Sequence, residues 1–333
     1  MKFLKITLIS TFIVGATFTS KAQLDFSTFL EGGVNDANTI LQNYLEPAFL
    51  GFGYGINSGW YNTAKPHKLL GFDVTTTFNF AMVPSKAEFF TINPADYDNI
   101  SLSGLTPTDR APTLFGPNLP ADELPLLDYA NEGNSITISS PTGLGLDEAI
   151  AFNAVPSAMV QAGIGIIKNT DIKIRFVPKY EDDDFSFEMF GIGIMHDLKQ
   201  WVPGFKQMPI DISGFVGWNR IESTLFLNDT QTQTAVFSTN GFTLQGLVSK
   251  KFALLTVFGG IGIATTSSNF ELLGDYETEA GPIGSGEINF DYSSTGPRIN
   301  AGFRLKLLIL TLHADYAIQK YNTLTIGAGL SIR

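Results

Sequence analysis

The sequence predicts an all-β fold, a transmembrane antiparallel β-barrel, on three observations: strict alternation of apolar and polar residues toward the C-terminus, a secretory-type leader, and no apolar run long enough for a membrane helix. The alternation is cleanest over residues 296–333. There Leu324, Ile326, Ala328, Leu330 and Ile332 fall on one side, and Thr325, Gly327, Gly329, Ser331 and Arg333 on the other. A period of two is the signature of a strand. Residues 299–307 and 308–319 repeat it, and each run is about the length of a strand that crosses a bilayer at a tilt, roughly 9 to 11 residues.

The chain opens Met1, Lys2, Phe3, Leu4, Lys5, runs apolar to about Phe18 and reaches Lys21 and Ala22, the layout of a signal peptide cut after Ala22. Without residues 1–22 the chain keeps 18 basic against 32 acidic residues, a net charge near −14. Phosphate contacts need clustered Lys and Arg, so nucleic acid is excluded as a partner. Cysteine is absent, which excludes disulfides, thiolate metal sites, a cysteine nucleophile and a lipid-modified leader cysteine. Barrel closure in a bilayer is an alternative source of stability for an exported chain of this size.

Residues 24–50 read as helical, with Val34, Ala37, Ile40, Leu41, Tyr44 and Leu45 recurring at three and four residues between a Gly pair and Pro47. This hatch, residues 23–50, is expected to plug the lumen or cap the periplasmic mouth, the alternative being a surface helix. The barrel takes residues 51–333. Strands are expected at 51–62, 70–82, 158–167, 171–179, 185–196, 210–222, 242–250 and 254–266, ahead of the final three. Single-chain bacterial barrels have even strand numbers, so about fourteen strands are expected, with twelve as the alternative. Links near 306, 250–252 and 168–170 are tight, while those at 84–156, 181–184, 225–240 and 267–295 are long, as periplasmic turns and outer loops require. Residues 84–156 hold nine of the sixteen prolines, so they are expected to form a folded outer loop or lid with short strands at 100–102 and 136–139. Residues 197–209 read as an amphipathic turn at the inner interface, carrying Leu198 and Trp201.

Parity places Asp73, Lys173, Arg175, Asp211, Arg304, His313 and Asp315 on the lumen face as candidate lining or ligand-contacting residues, beside Asn79, Gln161, Asn219 and Gln245. Such a ladder either fills a barrel with hydrogen bonds or lines a path. His313 and Asp315 have the spacing of a base and its partner, but no nucleophile motif accompanies them, so no enzyme is expected. His67, His196 and His313 lack metal-ligand spacing, the acidic run at 181–184 lacks a calcium-loop signature, and no cofactor is expected. Gly-Ile-Gly-Ile recurs at 163–166, 191–194 and 260–263; glycines on one face suit a strand whose inner side is closely packed. Trp60, Phe78, Phe80, Trp218, Phe242, Phe303 and Tyr316 are expected to face outward as interfacial aromatics.

Three stretches, GWYNTAKPHKLLGFD (59–73), MHDLKQWVPGFKQMP (195–209) and LHADYAIQKYN (312–322), resemble an uncharacterised family of outer-membrane proteins from gliding-type Gram-negative bacteria, itself similar in outline to FadL-type long-chain fatty-acid transporters. The resemblance implies a barrel of about fourteen strands, an N-terminal hatch and passage of hydrophobic molecules. The partners so expected are outer-membrane lipid and a hydrophobic or amphipathic small molecule. Two other readings stand beside it: a non-transporting barrel whose outer loops dock surface or secreted proteins, and a soluble secreted β-sandwich, which also alternates.

Overall fold

The computed structural model describes residues 30, 32–131, 134–146, 153–167, 169–201, 207–278 and 281–332; the leader lies outside them. Among the described residues one helix, α1 (Val34–Ile56), precedes a closed antiparallel barrel of ten strands: β1 (Phe72–Met82), β2 (Ala154–Ile167), β3 (Thr170–Glu181), β4 (Phe185–Asp197), β5 (Asp211–Phe226), β6 (Thr234–Phe252), β7 (Leu255–Leu273), β8 (Ile288–Leu307), β9 (Leu310–Ile318) and β10 (Thr323–Ile332). Neighbours in sequence pair, and β1 closes the ring against β10, from Phe72 opposite Ile332 to Ala81 opposite Thr323. The expected fourteen strands, and the twelve, are therefore corrected to ten.

The miscounted run is 51–62. Its first six residues are the end of α1, which passes through Pro47 at the loss of one helical hydrogen bond. Phe52, Tyr54 and Ile56 alternate with Gly51, Gly53 and Gly55, imitating a strand. The helix tolerates this pattern because wall surrounds it, so it needs no apolar stripe. A side chain at Gly53 would collide with Thr266, and one at Gly55 with Ser157.

One rim of the barrel carries the tight connections at Ala253–Leu254 and Leu308–Ile309 together with the longer β4–β5 link; the other carries the long β1–β2, β5–β6 and β7–β8 connections and two short ones, at 319–322 and at 182–184, where a long loop was expected. Near the turn rim the outward residues are apolar: on β8, Leu307, Leu305, Phe303 and Ile299 are exposed while Asn300 and Arg304 are buried. Toward the loop rim the parity inverts. Ile288, Phe290 and Tyr292 of the same strand point inward and are buried, while Asn289, Asp291 and Ser293 point out. β7 does likewise, with exposed Val257, Ile261 and Ile263 giving way to buried Ala264, Phe270 and Leu272. The switch runs level with the paired Trp218 and Phe242. An apolar belt therefore girdles the turn-side half, and above it the tall strands β5 to β8 turn an apolar face inward onto α1.

The other wall is lower. β9 stops at Ile318, so β8 above Ile299 has no strand on that side. α1 covers this edge: Asn38 donates to Glu287 O (2.9 Å) and accepts from Asn289 N–H (2.9 Å), and Gln42 donates to Asp291 O (3.3 Å). The described residues between 83 and 153 lie over the loop rim, with short strands at Phe89–Thr91, Ile100–Leu102, Arg110–Pro112, Leu126–Asn131 and Asn134–Ser139. They share one core with α1, in which Ile92, Ile100, Phe115 and Leu127 pack with Ile40, Leu41 and Tyr44.

Candidate functional site: the occupied lumen and the notch beside Lys320

The chain enters the lumen at the loop rim and leaves at the turn rim, and each level is fixed by named contacts. At the top, Asp36 in the first turn of α1 accepts three backbone N–H bonds from the lid: Oδ1 from Asp98 (2.7 Å), and Oδ2 from Asn99 (2.7 Å) and Ile100 (2.9 Å). Phe49 packs edge-on to Phe237 of β6 at 4.7 Å between ring centroids. Burial pushes the phenols of Tyr97 and Tyr276, both outside the belt, up to about 12, so both stay neutral in the lid region.

At mid-height Arg175 closes the helix end. It is fully buried and donates to Ile56 O (2.6 Å), Ser58 O (2.7 Å), Asn219 Oδ1 (3.1 Å) and Gln161 Oε1 (3.2 Å), with its guanidinium 3.6 Å above the Trp60 ring. The cation lies where carbonyls lack helical partners and the helix dipole is negative. Arg298 donates to Ser58 Oγ (3.1 Å) and Gln319 Oε1 (2.6 Å).

Below, Trp60 and Tyr61 wedge against Phe215, Phe258 and Leu247. The glycines of the Gly-Ile-Gly-Ile strands make room for them, Gly193 beneath Trp60 and Gly260 beneath the Tyr61 hydroxyl. That hydroxyl lies between Gln245 Oε1 and Asn300 Oδ1, the latter at 2.7 Å, and Asn300 donates onward to Asp315 Oδ1 (3.2 Å). Trp60 is thus not an outward aromatic, as expected from sequence; it is 1% exposed. Phe78, Trp218, Phe242, Phe303 and Tyr316 do face outward and are exposed, and Phe80 shares their parity, half-buried.

At the turn side Asp171 accepts from the backbone N–H (2.6 Å) and Nδ1 (2.8 Å) of His67, whose Nε2 lies 3.6 Å from Asp73. Lys173 shares with Asp73 the space over Gly163. Ser213 Oγ donates to Ala64 O (2.6 Å), and the chain leaves over the β2–β3 turn, where Leu70 N–H bonds Gly165 O (2.9 Å).

Of the candidate residues, Asp73, Lys173, Arg175, Arg304, His313 and Asp315 are buried inside the barrel, while Asp211 is half-exposed at the rim, 4.0 Å from Lys65. His313 and Asp315 are not hydrogen-bonded to each other; the imidazole instead lies against Gly327. Asp171 and Arg298 were legible by the same parity and overlooked. His67, Trp60 and Tyr61 sit on an irregular segment with no period to reveal them.

A break in the exterior lies where the low wall ends. Two cavities flank Lys320: one of about 450 Å³ lined by Pro297, Ile299, Ile318 and Gln319, and one of about 250 Å³ lined by Glu46, Lys86, Phe89, Phe90 and Tyr321. The notch is apolar toward the belt and charged toward the lid.

In comparisons with known proteins, the profile described as "Family of unknown function (DUF6588)" matches residues 1–332. No curated protein matches. Among solved structures, the attachment invasion locus protein Ail of Yersinia pestis is 8% identical, with 80% of this chain and 99% of that one covered and a TM-score of 0.23. The translocator domain of the autotransporter NalP from Neisseria meningitidis is 10% identical, with 80% and 90% covered and a TM-score of 0.27. The outer membrane protein Omp33 of Acinetobacter baumannii is 8% identical, with 79% and 98% covered and a TM-score of 0.25. At such scores these likenesses carry no argument about function.

Proposed function

The chain belongs to the DUF6588 family, which brings no activity with it, and we propose from the geometry that it is a sealed barrel of a Gram-negative outer membrane, a non-conducting platform whose lidded head docks surface or secreted proteins. The membrane location is supported by the parity switch: a belt of Leu, Ile, Phe and Val faces out over the turn-side half, and the same strands face apolar residues inward above it. The turn rim then lies in the periplasm and the loop rim outside. One observation carries the platform reading: residues 34–70 occupy the lumen from rim to rim, with buried Arg175 bonded to four groups across it. Ions need a continuous wet path, and this chain interrupts it at each level.

The experiment is conductance in planar bilayers combined with affinity purification from intact envelopes. The expected result is no channel activity from the wild type and a stoichiometric protein partner that is lost when the lid, residues 84–152, is shortened. Steady wild-type conductance overturns the sealed reading, and absence of any partner overturns the platform. Passage of hydrophobic or amphipathic molecules, the FadL-like alternative, has one observation in its favour, the notch beside Lys320, open to the belt on its Ile299–Ile318 side. Uptake of a fluorescent fatty acid that falls on Ile318→Trp would favour it.

A further inference from the structure

The turn rim has a composition that closing a hairpin does not require. Two of its tips are Ala253–Leu254 and Leu308–Ile309, where asparagine and glycine are the usual choices; the tip between β2 and β3 does use an asparagine, Asn169 at φ 62°. Leu308 is 91% exposed, and Leu70, Ala253 and Leu308 all sit in the left-handed region, at φ of 63°, 50° and 58°. Ordinary turn chemistry would have avoided this. Trp201, Leu69 and Phe252 add further exposed apolar surface to the same rim.

The belt explains the tips. On β8 it spans Leu307 to Pro297, which at about 3.3 Å per residue and a tilt near 40° gives roughly 25 Å of height, the apolar band that such barrels present. The exposed apolar turn tips prolong this surface at its lower edge. The rim is therefore continuous with the lipid-facing surface and lies at the headgroup level of its leaflet.

Charge is sorted along the same axis. Among the described residues the turn rim carries six lysines, at 65, 68, 199, 250, 251 and 306, against Asp197 and Asp211, while the loop side carries twenty-one carboxylates against five basic residues. Lys68, Lys250 and Lys251 are exposed, and the Lys250 ammonium lies 5.1 Å over the Phe252 ring. An ammonium beside an apolar anchor at a membrane surface reaches for phosphate.

We propose that the turn rim is a binding surface for anionic phospholipid headgroups in the leaflet it faces. The inference rests on the membrane reading above but not on the platform. The test is urea unfolding of the protein in vesicles of phosphatidylcholine and in vesicles with about one third phosphatidylglycerol. The folded-to-unfolded ratio is expected to be about tenfold higher with phosphatidylglycerol, and the gain to vanish near 0.5 M NaCl and in K65Q/K68Q/K250Q/K251Q. K86Q/K320Q, on the loop side, should retain it. Equal ratios in the two vesicles, or a gain that survives salt or the quadruple variant, overturns the proposal; if the quadruple variant fails to fold, the salt series on the wild type decides. Capture of an acidic soluble protein by the rim, undisturbed by phosphatidylglycerol, also overturns it. Recovery of folded protein without detergent instead overturns the membrane reading, whereas lipid-insensitive folding in vesicles removes this inference alone.

Discussion

Arg175 concentrates in one side chain what holds the plug in place. Four acceptors depend on it, two of them carbonyls at the end of α1. Arg175→Met keeps the volume and strands those acceptors, each an unsatisfied buried group costing about 1–3 kcal/mol. The expected loss is about 3–5 kcal/mol of unfolding free energy, measured by urea titration in bilayers; Arg175→Lys, which lacks the planar fork, should recover less than half. A second test lies at Gly327, pressed against the His313 imidazole. Gly327→Ala should destabilise by about 1–3 kcal/mol through overpacking, and His313→Ala in the same chain should restore part of it. Additive effects in that cycle would show the two do not touch. At this scale strand parity was informative: it placed Asp73, Lys173, Arg175, Arg304, His313 and Asp315 inside. It could not place Trp60, because a chain threading a cavity obeys no period.

Between element and wall the fit is made by α1. Gly53→Leu has no room beside Thr266, so the helix is expected to be displaced and single-channel recordings to show openings the wild type lacks; a silent variant would mean that the tail below Trp60 seals the lumen alone. Asp36→Ala removes the acceptor of three lid N–H groups. It should speed proteolytic nicking within residues 83–153 several-fold, in line with about 2–4 kcal/mol of lost anchoring. The strands were readable wherever one face meets lipid and the other the lumen. Sequence reading ended β6, β7 and β8 short, because above the belt the apolar set moves to the opposite parity and the alternation loses phase. The end of α1 was misread for a related reason: enclosed on all sides, it needs no stripe, and its glycines, placed for contact with the wall, fell at a spacing of two.

For the whole molecule, the path of the chain sets which side each segment reaches. The chain has no cysteine, so single cysteines report cleanly. With an impermeant maleimide on intact cells, Asn35→Cys, exposed at the loop rim, is expected to label, and Leu69→Cys, 65% exposed at the other rim, to label only after the envelope is opened. The reverse pattern would invert the orientation. The threaded path also dictates an order of events during biogenesis. A ring already zipped from Val74 to Leu330 cannot admit a helix whose far end is tethered to one of its own staves, so the seam between β1 and β10 has to shut last, around an occupant already seated. A disulfide forced early between cysteines at 74 and 330 should trap a hollow, leaky cylinder, with its intended stopper stranded outside.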